Sequence, residues 1–195
     1  MGFLDKLKGK SAKPTAATVA PAHSTPVAAP ARPAVVAPAP SSANAVILAP
    51  VTGKVVPLAE VPDPVFAGGM MGDGVAIIPT EGKLVAPFAG EVSAIFPTGH
   101  AVGLKSDTGV EVLLHLGVDT VKLEGKGFTA HVKEGQHVAA GAPLVDFDIP
   151  TITGAGYSMA TPVIITNGDD LGPITKLATT GPITAGQPLM QVAAK

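Results

Sequence analysis

Turn-forming residues interrupt this chain so often that almost no stretch of it keeps helical periodicity long enough to make an amphipathic helix, and that constrains the fold before any motif is considered. Of 195 residues, 23 are glycine and 20 are proline. Between them lie short runs rich in Val, Ile, Leu and Thr. Such runs, closely spaced and bounded by glycine-containing turns, predict an all-β body: an antiparallel β-sandwich in a barrel-like hybrid form. Apolar residues make up 46% of the chain but aromatics only 4%, so the core must be built from aliphatic side chains. The absence of cysteine excludes disulfides, thiolate metal sites and a cysteine nucleophile, and is compatible with the cytoplasm.

Three segments are expected. Residues 1–8, MGFLDKLK, form a short amphipathic N-terminal helix with Phe3, Leu4 and Leu7 on one side and Asp5, Lys6 and Lys8 on the other. It is read either as a peripheral membrane contact or as a frayed, solvated end. Residues 9–44 are Ala, Pro, Ser and Thr with seven prolines, a disordered linker of polyproline character. Residues 45–195 form the β-sandwich domain. No window approaches the length of a membrane span and no signal peptide is read, which places the protein in the cytoplasm. Residues 1–44 carry Lys6, Lys8, Lys10, Lys13 and Arg32 against Asp5, a net charge of +4; the formal total is −2, so the remainder carries −6. An acidic body argues against nucleic acid as its partner.

Within the domain APVTGKVVPL (49–58) and APFAGEVSAI (86–95) share A-P-x-x-G-x-V. Each reads as a turn entering a strand, so the sheet is expected to contain two similarly built halves. HVKEGQHVAAGAPLVDFD (131–148) and GPITAGQPLMQVA (181–193) likewise share a strand, an Ala-Gly turn and a second strand.

The most informative local feature is a hairpin carrying two histidines. His100 is followed by AVGLK, the turn cluster SDTG and VEVLLHLGV, which holds His115. Val110, Val112, Leu114, Leu116 and Val118 alternate as an unbroken apolar face, which puts Glu111, Leu113, His115 and Asp119 on the other side, outside the main core. With Asp107 and Thr108 as the central turn residues, Ser106 pairs with Gly109 and His100 falls opposite His115, the Cβ atoms ~5 Å apart. A three-residue loop would shift the register by one and send one imidazole to the opposite face. Two imidazoles side by side on a rigid sheet can hold a phosphoryl group or a metal. His23, His131 and His137 read as solvated, and Met70 and Met71 as packing residues. The phosphate-loop decoys Gly9-Lys10-Ser11 and GDGVAI lack the remaining glycines of their motifs.

FPTGHAVGLKSDTGVEVLLHLGVDTV (96–121) resembles the glucose-type IIA component, the phosphocarrier of the bacterial phosphoenolpyruvate-dependent sugar phosphotransferase system. The resemblance runs on through VPDPVFAGGMMGDGVAI, KLVAPFAGEV, EGKGF, VKEGQHVAAGAPLVDFD and TPVIITN, with H-x-G-x-D-T and an upstream T-x-H as its most specific elements. It implies that His115 is phosphorylated on Nε2 by the small histidine-phosphocarrier protein and passes the group to the IIB domain of a IIB/IIC sugar permease. It implies further that His100 stabilises the phosphoryl group, that Thr98 orients His100, and that Val65, Phe66, Phe96 and Asp119 meet the partners. Regulated transporters or enzymes are additional partners of such proteins. No cofactor is required; a zinc ion at a partner interface, held by His100 and His115 with a ligand from elsewhere, is the metal the pair could share. Two departures stand out: the Ala/Pro linker is long for this family, and Gly68 and Gly69 stand where many members carry charged residues.

Two other function classes compete. A zinc hydrolase of the related lysostaphin-like sandwich fold would use a His-x-His pair, but Leu113 stands two residues before His115, and two clustered histidines fall short of three protein ligands. A lipoyl- or biotinyl-type carrier is suggested by the linker and by VKEGQHVAAGAPL, but no attachment lysine is found at a hairpin tip.

Overall fold

The computed structural model describes residues 44–193; the expectations for segment 1–8, for linker positions 9–43 and for His23 lie outside the described residues. In chain order the strands are β1 (Ala45–Leu48), β2 (Gly53–Pro57), β3 (Asp73–Pro79), β4 (Lys83–Val85), β5 (Gly90–Ile95), β6 (Ala101–Ser106), β7 (Glu111–His115), β8 (Phe128–Ala130), β9 (His137–Val138), β10 (Pro143–Phe147), β11 (Thr161–Ile165), β12 (Ile174–Lys176), β13 (Gly181–Ile183) and β14 (Pro188–Val192). Two short helices, α1 (Pro64–Ala67) and α2 (Ile149–Gly154), and three single 3-10 turns join them. An antiparallel sheet of order β13-β2-β3-β11-β7-β6-β5-β9 packs with two three-stranded sheets, β1-β14-β12 and β4-β10-β8, as an all-β sandwich. No helix among the described residues is long and apolar enough to cross a membrane.

The order of the large sheet reads alike from both edges, and the hydrogen bonds repeat in the same way. Ile183 pairs with Gly53 and Val138 with Gly90. The Leu48 N–H donates to the Pro87 carbonyl at 2.9 Å, and reciprocally the Val85 N–H donates to the Pro50 carbonyl at 2.8 Å. The Ala-Gly turns at Gly141 and Gly186, both with positive φ, return these bonds to Ala86 and Ala49. Strands β4 to β10 therefore repeat β1 to β3 and β11 to β14, and the second copy is inserted into the first. The A-P-x-x-G-x-V echo is the visible part of this repeat. Its glycines open β2 and β5, where a Cβ on Gly53 or Gly90 would lie 2.1 or 2.2 Å from a carbonyl oxygen of the adjacent strand.

Alternation along β7 behaves as expected, with Val112, Leu114 and Leu116 buried in the main core alongside Val102, Leu104, Val163 and Ile165; the face ends there, since Val118, beyond the strand, enters a smaller core instead. The main core is mostly aliphatic, as expected, with Phe88 and Phe147 as its buried aromatic members. A second, smaller core lies against the large sheet, where Val56, Ala76 and Ile164 meet Leu58, Val61, Phe66, Val118 and Ala160. It forms because β3 and β11 are buried on both faces, with Val75, Ile77, Val163 and Ile165 in the main core and Ala76 and Ile164 in the smaller one.

The β6–β7 register differs from the expected one. Ala101, not His100, is the partner of His115, and Lys105 pairs with Glu111. The loop has three residues, not two or four. Ser106 and Val110 are paired through the Ser106 N–H, and Gly109, with φ 88°, donates to the Ser106 carbonyl at 2.9 Å. Glycine at that position supplies the left-handed step that closes a three-residue loop, and the Ser106 hydroxyl secures it by accepting from the Val110 N–H at 2.9 Å.

Candidate functional site

Although the register is shifted, the two imidazoles meet, with ring centroids 5.0 Å apart and planes at 78°. His100 escapes the alternation because it lies in the turn just before β6. In that turn the Gly99 N–H donates to the Phe96 carbonyl at 2.8 Å and the Phe96 N–H donates to the Ala101 carbonyl at 3.1 Å. Gly99 takes φ 70°, and the chain re-enters the ladder where the Leu116 N–H donates to the His100 carbonyl at 2.7 Å. Pleat parity holds only inside a regular strand, so it does not decide where His100 points. The Thr98 hydroxyl lies 2.5 Å from His100 Nδ1, and the Phe96 ring packs on His100 with centroids 5.3 Å apart.

His115 ends β7 on the face away from the main core and is half-buried. The following turn is built around Gly117, whose φ is 78° and whose Cβ, were there one, would lie 2.6 Å from the Ser158 carbonyl oxygen. Its carbonyl accepts a hydrogen bond from His115 Nδ1 at 2.7 Å. A carbonyl oxygen has no proton to offer, so Nδ1 carries the hydrogen and the lone pair of the neutral ring resides on Nε2. Among the described residues the Nε2 atoms of both rings make no hydrogen bond. No buried side-chain nitrogen or oxygen there lacks a partner, so both Nε2 atoms reach solvent.

The electrostatics keep the pair neutral near pH 7. Burial, then the proximity of His115, pushes the pKa of His100 down to about 4. Burial also lowers that of His115, opposed by the hydrogen bond to Gly117 and by the charges of Asp63 and Asp119. Asp63 is a contributor that sequence reasoning passed over. Its carboxylate accepts from the Val65 and Phe66 N–H groups at 2.8 and 3.1 Å and so caps α1, with Pro64 in the first turn. The helix sets the Phe66 ring 5.0 Å from the His115 ring. An Asp-Pro pair ahead of an apolar residue is the available signal.

Around the pair the other expected residues divide. Val65 and Phe96 are 39% and 45% exposed. Asp119 sits at the rim with φ 61°, its carboxylate 2.7 Å from Lys122 Nζ. Phe66, at 8% exposure, is a wall of the second core against the His115 ring. Met70 and Met71, expected as packing residues, instead face solvent at 77% and 41% exposure in the glycine-bounded turn before β3. His131 and His137 are exposed, and each bonds a carboxylate, Asp146 and Asp107 respectively. Among the described residues no three His, Cys, Asp or Glu side chains gather to hold a metal. The two ring nitrogens on their own fit half of a tetrahedral site.

Residues 45–171 match the model of the family described as phosphoenolpyruvate-dependent sugar phosphotransferase system, EIIA 1. The chain belongs to this family. A IIA relative of known sequence, the beta-glucoside-specific EIIBCA component of the sugar phosphotransferase system of Bacillus subtilis (strain 168), is 56% identical over 119 residues, 61% of this chain. The match spans only 20% of that longer polypeptide. Among solved structures, the IIA glucose permease from Mycoplasma capricolum superposes with a TM-score of 0.70 at 38% identity, covering 76% of this chain and 95% of that one. The hydrolase and lipoyl-carrier alternatives gain nothing from these relationships.

Proposed function

We propose that this IIA protein is a histidine phosphocarrier that takes a phosphoryl group from the small histidine-phosphocarrier protein onto His115 Nε2 and yields it to the IIB domain of a sugar permease. The observation that carries the reading is the His115 Nδ1 hydrogen bond to the Gly117 carbonyl, because it leaves a lone pair on the solvent-facing nitrogen beside His100. In the first step that lone pair forms a bond to phosphorus while the N–P bond of the donor's phosphohistidine breaks, its electrons returning to the donor imidazole. In the second, the phosphoryl group leaves His115 for a cysteine thiolate of IIB. The first step exchanges one imidazole for another of similar leaving ability, so alignment and charge stabilisation supply most of its catalysis.

His100 supplies the stabilisation. In this reading the Thr98 hydroxyl, in hydrogen-bond contact with His100 Nδ1, is the donor, so that the proton of neutral His100 sits on Nε2 and donates to a phosphoryl oxygen. Exposed Val65 and Phe96, with Phe66 beside His115 and acidic Asp119 at the rim, suit a basic, partly apolar partner surface. A zinc ion shared with a partner would draw its first two ligands from the same nitrogens and so compete with phosphorylation. The protein works at the cytoplasmic side of the membrane, with residues 1–8 as a peripheral contact. One relative is named for beta-glucosides and the other for glucose although both carry this domain, which supports assigning sugar recognition to the membrane component.

The test is incubation with phosphoenolpyruvate, the first enzyme of the system and the small carrier, followed by mapping of the acid-labile phosphate. His115→Ala is expected to take up none, and stoichiometric labelling of that variant would refute the assignment. His100→Gln is expected to accept phosphate but to fail in passing it to IIB.

A further inference from the structure

The H-x-G-x-D-T motif contains a residue that the relay chemistry leaves without a task. Thr120 is completely buried, lies beyond the reacting atoms, and yet stands in a fixed relation to them. Its hydroxyl donates to the Leu116 carbonyl at 2.6 Å, closing the chain reversal that starts immediately after His115. Its methyl group packs against Gly117, since a Cβ on that glycine would lie 2.7 Å from Thr120 Cγ2. The same turn is pinned on its other side by the Val118 N–H, which donates to the Ser158 carbonyl at 2.9 Å. The Gly117 carbonyl between these anchors is the one that receives the His115 Nδ1 proton.

We propose that Thr120 is a positioning residue that selects the reactive tautomer of His115. A neutral imidazole in water favours its proton on Nε2, which would occupy the nitrogen that must attack phosphorus. Only an acceptor held in line with Nδ1 reverses that preference, and here the acceptor is a carbonyl in a left-handed turn with few internal restraints of its own. The Val118 N–H bond to Ser158 holds the far edge of the acceptor's peptide. Thr120 supplies the restraint on the near side, with the hydroxyl fixing the peptide before Gly117 and the methyl packing on its Cα. The proposal rests on His115 being the nucleophile, but its main readout does not.

The experiment uses the full-length chain at about pH 8 with 15N-labelled histidine, comparing wild type, Thr120→Val and Thr120→Ser by long-range 1H–15N correlation. Wild type is expected to show His115 protonated at Nδ1. Thr120→Val keeps the shape and loses the hydroxyl, so it is expected to shift His115 towards the Nε2–H form. It should also lower kcat for phosphoryl uptake at least threefold, with KM for the carrier within twofold. Thr120→Ser, which keeps the hydroxyl, is expected to restore the Nδ1–H form and most of kcat. A Thr120→Val protein with the wild-type tautomer and kcat would overturn the proposal. If Thr120→Val does not fold, a folded Thr120→Ser protein whose His115 has lost the Nδ1–H form would overturn it, while retention of that form supports it. Absence of phosphate uptake by wild type would strike the relay reading, leaving the tautomer result to judge Thr120 separately.

Discussion

Two properties prepare the histidine pair for the proposed chemistry, neutrality of both rings and a bare nitrogen on His115, and they have different causes. Burial and the neighbouring ring keep His100 unprotonated, whereas the turn after β7 fixes which nitrogen of His115 is bare. The first effect carries a stability cost in acid. His100 binds its proton at about pH 4 when folded against 6.5 unfolded, so between those values the unfolded chain holds more protons and stability rises with pH. Its contribution is complete above pH 6.5 and is lost as pH falls towards 4, a change of up to about 3 kcal/mol. Urea midpoints measured at pH 7 and pH 5 are expected to fall on acidification in wild type and to fall less in His100→Gln. Both histidines were legible in the sequence because they flank one hairpin, whereas Thr98 was legible only through the resemblance to the IIA family. Their geometry was less so: a single residue more or less in the β6–β7 loop decides the register, and Ser106-Asp107-Thr108-Gly109 accommodates either reading. That Gly109 takes the left-handed step is decided by the strands it joins.

At the level of elements, the site depends on a helix of only four residues. Such a helix has no independent stability; α1 persists because Asp63 caps it, Pro64 starts it and Phe66 is anchored in the second core. Asp63→Ala is therefore expected to destabilise the protein by about 1 kcal/mol and to slow phosphoryl uptake, because the Phe66 wall behind His115 loosens. Asp63→Asn, which still offers a capping oxygen, should keep the stability and most of kcat while losing the carboxylate's field on His115. Paired denaturation curves and uptake kinetics check both. Equal losses in the two variants would make charge, not capping, the working property. The cap went unnoticed in the sequence because Asp-Pro also fits an ordinary turn, and nothing local says that Phe66 will find a second core. Strand alternation in β7, by contrast, was readable because every second side chain meets the main core.

Across the whole molecule, charge and topology set how the carrier meets others. The chain from residue 45 onward carries a net −6, so encounter with a basic partner should be steered at low ionic strength and lose that help as the Debye length shrinks from about 10 Å at 0.1 M to 3 Å at 1 M. Stopped-flow transfer from the phosphorylated carrier is expected to show kcat/KM falling about tenfold over that range with kcat little changed. The duplicated architecture was half visible, through the A-P-x-x-G-x-V echo. Its interleaving was not, because strand partners far apart in sequence leave no local mark. Interleaving also has a mechanical consequence. Since the outer copy is split around the inner one, β1 and β14 lie side by side, Ala45 opposite Val192, and the polypeptide enters and leaves the sandwich at one place. A unit with adjoining doors can hang from either end of a longer polypeptide, or be closed into a ring and reopened elsewhere, without breaking the β6–β7 hairpin that carries the histidine pair.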